Sequence, residues 1–195
     1  MRATLLLAAM AVAAPVSQAG VPEFTHTRPL TPAAAALLAD AEAQSSVVRT
    51  QLEALELTDL IVYVTDLYAN AGGAPVACLN WVSAAGGRRY VLVRVAHWQG
   101  VPQERIAWLG HELQHAIEIA AAPEVQDEAG LARLYRRIGW EEASGHYETD
   151  AAREVGELIR NELAGFTPRV EDGAKAPTPI ATVAAARRPR AQEAA

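Results

Sequence analysis

The chain has a single cysteine, Cys78, in 195 residues, so no intramolecular disulfide can staple its fold. Within a predicted strand, that thiol reads as a small buried hydrophobe rather than a nucleophile. Lysine is almost missing as well, with Lys175 the sole instance. Basic residues are the minority overall, 17 against 23 acidic. Between residues 20 and 166 the imbalance sharpens to 11 basic and 20 acidic, a net charge of −9. That rules out the broad cationic surface a nucleic-acid partner needs. Beyond the first twenty residues no apolar run is long enough to cross a bilayer, so no stable membrane insertion is expected of the mature chain.

The two ends of the chain differ from its middle. Arg2 is a positive start, Thr4 to Pro15 an apolar run too short to span, and Ser17-Gln18-Ala19 a small-x-small cleavage pattern. This predicts a signal peptide over residues 1–19 and export to a periplasm or beyond. Residues 167–195 are rich in Pro and Ala and have no sustained apolar period, which predicts a disordered tail. One domain, residues 20–166, is left between them.

The middle of that domain holds His111-Glu112-Leu113-Gln114-His115, an H-E-x-x-H pattern. Ile106, Leu109, Leu113, Ile117 and Ala120 recur at three- and four-residue steps around it, which predicts a helix from Pro102 to about Ala122. Residues four apart share a helix face, so His111 and His115 can offer two imidazole nitrogens to one metal ion. Neutral imidazole suits Zn²⁺. Glu112, about 100° further round the helix, is placed to act as a base on a water held there.

Other elements follow from caps and periods. Thr31-Pro32 starts a helix to about Ala43, and Ser45 or Ser46 caps a second to about Leu57. Strands are predicted at 60–65, 75–83 and 89–98, the last two joined by a hairpin at Gly86-Gly87. Asp127 to Ile138 reads as a helix with Gly139 as its C′ residue, and a final helix is predicted from Tyr147 to Leu163. The expected class is α+β, a small, mostly antiparallel three-stranded sheet packed with about five helices, the motif helix at the centre.

A catalytic zinc usually takes three protein ligands. Three candidates remain for the third. Glu118 is seven residues past His111, about 10 Å along one helix, and suits a role orienting the ring of His115. Glu148, placed on the inward face of the final helix beside Ala151 and Ala152, needs a partner or a metal if buried there. His146 is either a ligand or, with Tyr147 and Arg153, a donor to an oxyanion. Asp150 is a candidate cap for that helix or a support for a ligand histidine.

His111-Glu-Leu-Gln-His115 followed by Glu148-Thr-Asp-Ala-Ala152 resembles the gluzincin branch of the zincin metallopeptidases over residues 60 to 163. No Gly-x-x-His follows His115, which points away from the metzincin branch. The resemblance implies zinc held by His111, His115 and Glu148, Glu112 as general base, and a peptide or protein substrate laid along an edge strand. The competing expectation is an exported protein that keeps a structural or vestigial zinc site without turnover.

Overall fold

The computed structural model describes residues 24–68, 76–97, 101–142 and 145–165. The predicted signal peptide and C-terminal tail lie outside the described residues. The elements, in chain order, are β1 (Thr27–Pro29), α1 (Pro32–Gln44), α2 (Ser46–Glu56), β2 (Leu60–Tyr68), β3 (Ala77–Ala85), β4 (Arg88–His97), α3 (Pro102–Ala120), α4 (Glu128–Ile138), β5 (Trp140–Glu141), β6 (Tyr147–Glu148) and α5 (Asp150–Leu163). The class is α+β, with five helices among the described residues, none long and apolar enough to cross a membrane.

The sheet corrects the expectation of three mostly antiparallel strands. Its order is β1-β2-β4-β3, with β1–β2 and β2–β4 parallel and only β3–β4 antiparallel. The hairpin forms as expected, turning through Gly86 and Gly87 at φ 58° and 72°. Instead of β3, however, β4 inserts beside β2. Its alternating Val91, Val93 and Val95 are fully buried, which suits the interior of a sheet rather than a margin. β1 escapes sequence reading because three residues ending in proline carry no period; Pro29 is tolerated there because β1 is an edge. A second, two-stranded ribbon pairs β5 with β6.

The helix caps of α1 and α2 are those the sequence suggests, and Asp127, read there as the first residue of its helix, is the cap of α4. Thr31, Ser45 and Asp127 accept from the backbone N–H groups of Ala34, Val48 and Gly130. The last helix is different. Thr149, in extended conformation, accepts from the N–H of Ala152 and is the N-cap, so α5 starts at Asp150 rather than Tyr147. Glu148 therefore stands in β6, just ahead of the helix on which the sequence reading put it, and Asp150 is not the cap.

The motif helix is the middle of the core. Ile106, Leu109, Leu113 and Ile117 are buried as the periodicity requires, but so are Ala107, Ala116 and Ile119, because α2, α5 and the sheet enclose α3 on several sides. Two contacts fix its position next to His111. The Nε2 of Gln51 on α2 donates to the Gly110 carbonyl at 2.9 Å. On the α5 side, a Cβ at Gly110 would stand 2.1 Å from the Cδ1 of Ile159. The helices meet where Gly110 and the buried Ala152 and Gly156 leave room.

The C-terminus of α3 is held by Arg89, a strand residue that shares the core-facing side of β4 with Val91. Its guanidinium is 1% exposed and donates to the carbonyls of Ile119, Ala120 and Ala122 at 2.8, 3.1 and 2.7 Å. Its other donors reach both carboxylate oxygens of Asp59, at 2.9 and 2.7 Å. Last-turn carbonyls have no partner inside the helix, and here one cation satisfies several of them.

Candidate metal centre

His111 and His115 rise from successive turns of α3, with ring centroids 5.0 Å apart and planes at 82°. The carboxylate of Glu148 closes on both. Its Oε1 lies 3.5 Å from His111 Nε2 and 3.8 Å from His115 Nε2. One ligand atom from each of the three residues lies within 4.8 Å of the others. Donors that share a tetrahedral zinc at about 2.0–2.2 Å stand roughly 3.3–3.5 Å apart. The His111–Glu148 pair is already at that spacing, and the widest separation in the cluster needs to close by at most about 1.5 Å to hold one cation. Of the three candidate third ligands, Glu148 joins the pair of histidines. Glu118 and His146 do not belong to this cluster.

The ring orientations are fixed from behind. His115 Nδ1 is 3.0 Å from Glu118 Oε2, which leaves Nε2 facing Glu148. Glu118 Oε1 in turn accepts from the Thr149 hydroxyl at 2.7 Å. Thr149 thus touches three parts of the centre: Glu118, the first turn of α5, and Glu148, whose Oε1 accepts from the Thr149 N–H at 2.8 Å. Beneath His115, the Tyr135 ring meets the imidazole edge-on at 5.4 Å, and Tyr135 itself stacks on Tyr147 at 5.2 Å. Tyr135 is a residue of the centre that the sequence analysis does not single out. Its signal was that a tyrosine on an inward stripe needs a partner for its hydroxyl, and that hydroxyl points to the His115 carbonyl at 3.4 Å.

Burial sets the protonation of the group. It lowers the His111 pKa to about 4, with further contributions from the charges of His115 and Arg160. The ring is therefore neutral at pH 7, as a metal ligand must be. His115 is pulled down by burial, but the Glu118 hydrogen bond and the surrounding carboxylates of Glu112, Glu118 and Glu148 more than reverse this, so its pKa rises. Glu112 is 5% exposed; burial pushes its pKa up to about 7, His115 opposing and Glu148 reinforcing the rise. Burial also raises Glu148, against the pull of the Thr149 N–H and His115. An undercharged group of acids and imidazoles packed this closely is what a divalent cation would neutralise.

The donor set fits zinc in kind: two imidazoles and one carboxylate, with Glu112 nearby and outside the cluster. Comparison with family models, curated proteins and solved structures finds no match for this chain. What can be said of the centre therefore rests on its own residues. Of the remaining candidates, His146 and Tyr147 both line the cleft above Glu112 and His115. Arg153 instead sits over the Trp140 ring, 6.0 Å from its centroid, and is not among the residues that line the cleft.

Gly139 is needed here for a reason the sequence reading did not give. It is extended, at φ −152°, so it does not end α4 as a left-handed cap. A Cβ on it would stand 2.0 Å from the Glu148 carbonyl oxygen and 2.9 Å from Thr149 Cγ2. The β5–β6 ribbon can pair only if this position has no side chain. Gly139→Ala is expected to displace Glu148 and weaken divalent-cation binding about tenfold or more, with helix content unchanged. Isothermal titration with Zn²⁺, beside a circular-dichroism spectrum, checks it; unchanged affinity would mean the ribbon yields without moving the carboxylate.

Proposed function

We propose that the protein is a zinc-dependent metallopeptidase that hydrolyses peptide bonds in an exported compartment, the latter following from the signal expected over residues 1–19. One observation carries this reading. His111 Nε2, His115 Nε2 and Glu148 Oε1 converge beside the buried Glu112, in a cleft open to solvent. A structural zinc site is closed by a fourth protein ligand, whereas this cluster has three members among the described residues.

Zinc held there would supply a Lewis acid that acidifies water and polarises a carbonyl. The chain's own groups do the rest. Glu112 accepts the proton of the attacking water and returns it to the leaving amine. Glu118 keeps the His115 ring turned with Nε2 toward Glu148. His146 and Tyr147, on the wall of the cleft, are placed to donate to the carbonyl oxygen as its negative charge develops.

The deciding experiment is metal analysis of the purified protein together with cleavage of a mixed peptide library, with and without a chelator. Stoichiometric zinc and chelator-sensitive cleavage are expected. Protein that takes up no divalent cation, or that cleaves equally well in chelator, would sink the reading. The affinity should also depend on pH in a defined direction. The metal-free centre holds protons on His115 and Glu112 that the metal-bound centre gives up, so affinity rises as pH climbs from about 5 to 8. His111 adds little to that slope, its pKa of about 4 lying below the range. Titration calorimetry in buffers of different ionisation enthalpy reads the released protons directly.

A further inference from the structure

Beside the metal centre, residues of β3 and α4 enclose a cavity of about 400 Å³. Its α4 wall consists of Glu128, Leu131, Ala132 and Tyr135. Spacings of three, four and seven residues put these four on one helix face. The wall is therefore graded along its length. Tyr135 stands at the metal end, its ring 5.4 Å from that of His115. Glu128 stands two turns away, about 10 Å along the helix axis. Leu131 and Ala132 fill the interval, and Leu79 and Trp81 of β3 line the same cavity.

The formal charge of this lining has one sign. Glu112 and Glu128 belong to it, and no lysine or arginine does. Glu128 has no hydrogen-bonded or ionic partner among the described residues. A helix dipole favours an acid in the first turn, but it does not choose the face, and Asp127 already caps α4. Glu112 is an independent sign. Only 5% exposed, it lines the cavity without a hydrogen-bond partner among the described residues. Trp81 and the stacked Tyr135–Tyr147 pair add ring faces, which attract cations and not anions. Around them, residues 20–166 carry a net charge of −9, a field that raises the local concentration of cationic molecules.

An apolar interval that ends in a carboxylate fits one kind of guest. Lysine and arginine carry their charge at the tip of an apolar stem, about 6–7 Å from Cα when extended. With that stem against Leu131 and Ala132, the cation reaches Glu128. An uncharged side chain of the same length gains the apolar contact alone.

We propose that Glu128 makes this cavity a subsite for a lysine or arginine side chain, so that the enzyme selects cationic peptides. The proposal rests on the hydrolytic reading above and names the substrate class of that site. Recognition falls on the side chain and not on the end of the peptide.

The test gives zinc-loaded full-length protein a set of acetylated and amidated peptides that differ at one residue. That residue is lysine, arginine, norleucine or glutamate in turn, and free-ended copies run in parallel. Mass spectrometry maps each cut. Lysine and arginine should occupy one fixed position relative to it and exceed norleucine about fivefold to tenfold in kcat/KM, with glutamate the poorest. The difference should lie in KM and shrink at high ionic strength. Glu128→Gln should bring the lysine-to-norleucine ratio close to one, and Glu128→Lys should turn the preference toward glutamate. Circular dichroism and the spectrum of Co²⁺-substituted variants check that helix and centre have survived. The inference is overturned if norleucine is cut as well as lysine, or if the preference persists in Glu128→Gln. It is overturned too if only peptides with a free N-terminal amine are cut, since the recognised cation is then the chain end. Zinc-loaded protein that cuts no peptide of any kind overturns the hydrolytic reading itself, and this inference with it.

Discussion

Changing Glu112 to Gln is expected to cut peptide hydrolysis by about 10²- to 10⁴-fold while zinc content stays at the parent level. Gln keeps the size and the buried hydrogen-bonding capacity of the side chain but takes no proton. Glu112 does not belong to the three-residue cluster, so the cation loses no ligand. The effect should fall on kcat, since the residue acts on the reacting water rather than on the peptide. The parent should show an acid limb in its pH–rate profile, because Glu112 works as a base only when ionised, and in the metal-free centre burial, opposed by His115 and reinforced by Glu148, raises its pKa to about 7. A nearby cation favours the carboxylate and moves that limb below pH 7. The limb should vanish in the variant. Steady-state kinetics on metal-reconstituted protein from pH 5 to 8 reads both quantities, and a variant as fast as the parent would show that Glu112 is not the base.

Arg89→Met should cost the fold about 3–5 kcal/mol, the largest single loss expected outside the metal centre. The residue touches no ligand. Its removal leaves the Ala120 carbonyl without its donor and takes from the carbonyls of Ile119 and Ala122 the partner they have beside the backbone N–H groups of Ala122 and Val125. Methionine fills the volume but donates nothing. Against a typical domain stability of about 5–15 kcal/mol, the thermal midpoint should drop by about 10 °C. Part of the loss depends on pH. Burial raises the Asp59 pKa, but the Arg89 hydrogen bond and charge outweigh it, so the folded value lies below the usual 3.8. That contribution is complete at neutral pH and fades only as pH falls through the lowered folded pKa. The gap between parent and variant should therefore narrow in strong acid. Urea denaturation at pH 7 and pH 3 measures it. A loss under about 1 kcal/mol at pH 7 would mean that water reaches the three carbonyls.

What the sequence disclosed follows the range of the interactions involved. The cap of α1 at Thr31, the Gly86-Gly87 hairpin and the spacing of His111 and His115 depend on neighbours a few residues away, and all were readable. Glu148 was readable as a residue but not in its place. The Thr149-Asp150 pair is a capping signal in its own right, and it ends the extended segment one residue after Glu148. Strand order was not readable. A β-branched run identifies β2 and alternation identifies β4, but neither says that β4 slips between β2 and β3, because that depends on the parallel pairing of β2 with β4, whose partners lie about thirty residues apart. Arg89 was also hidden. In sequence it is one of several polar residues in an alternating strand, and only the arrival of the α3 terminus thirty residues later explains its burial. The same holds for Gly139, whose partner is a backbone oxygen nine positions away.

Among the described residues no strand pairs with the far flank of β3, and a bare strand margin is a template on which identical molecules can polymerise. Here the straight run is short. The ladder keeps its register from Ala77 to Trp81 and then shifts before Ser83, with Val82 turned out to solvent at the irregularity. Such a kink re-aims the strand and breaks the match with any long neighbouring sheet. A second copy advancing edge to edge loses its ladder there. The geometry therefore interrupts fibrous growth.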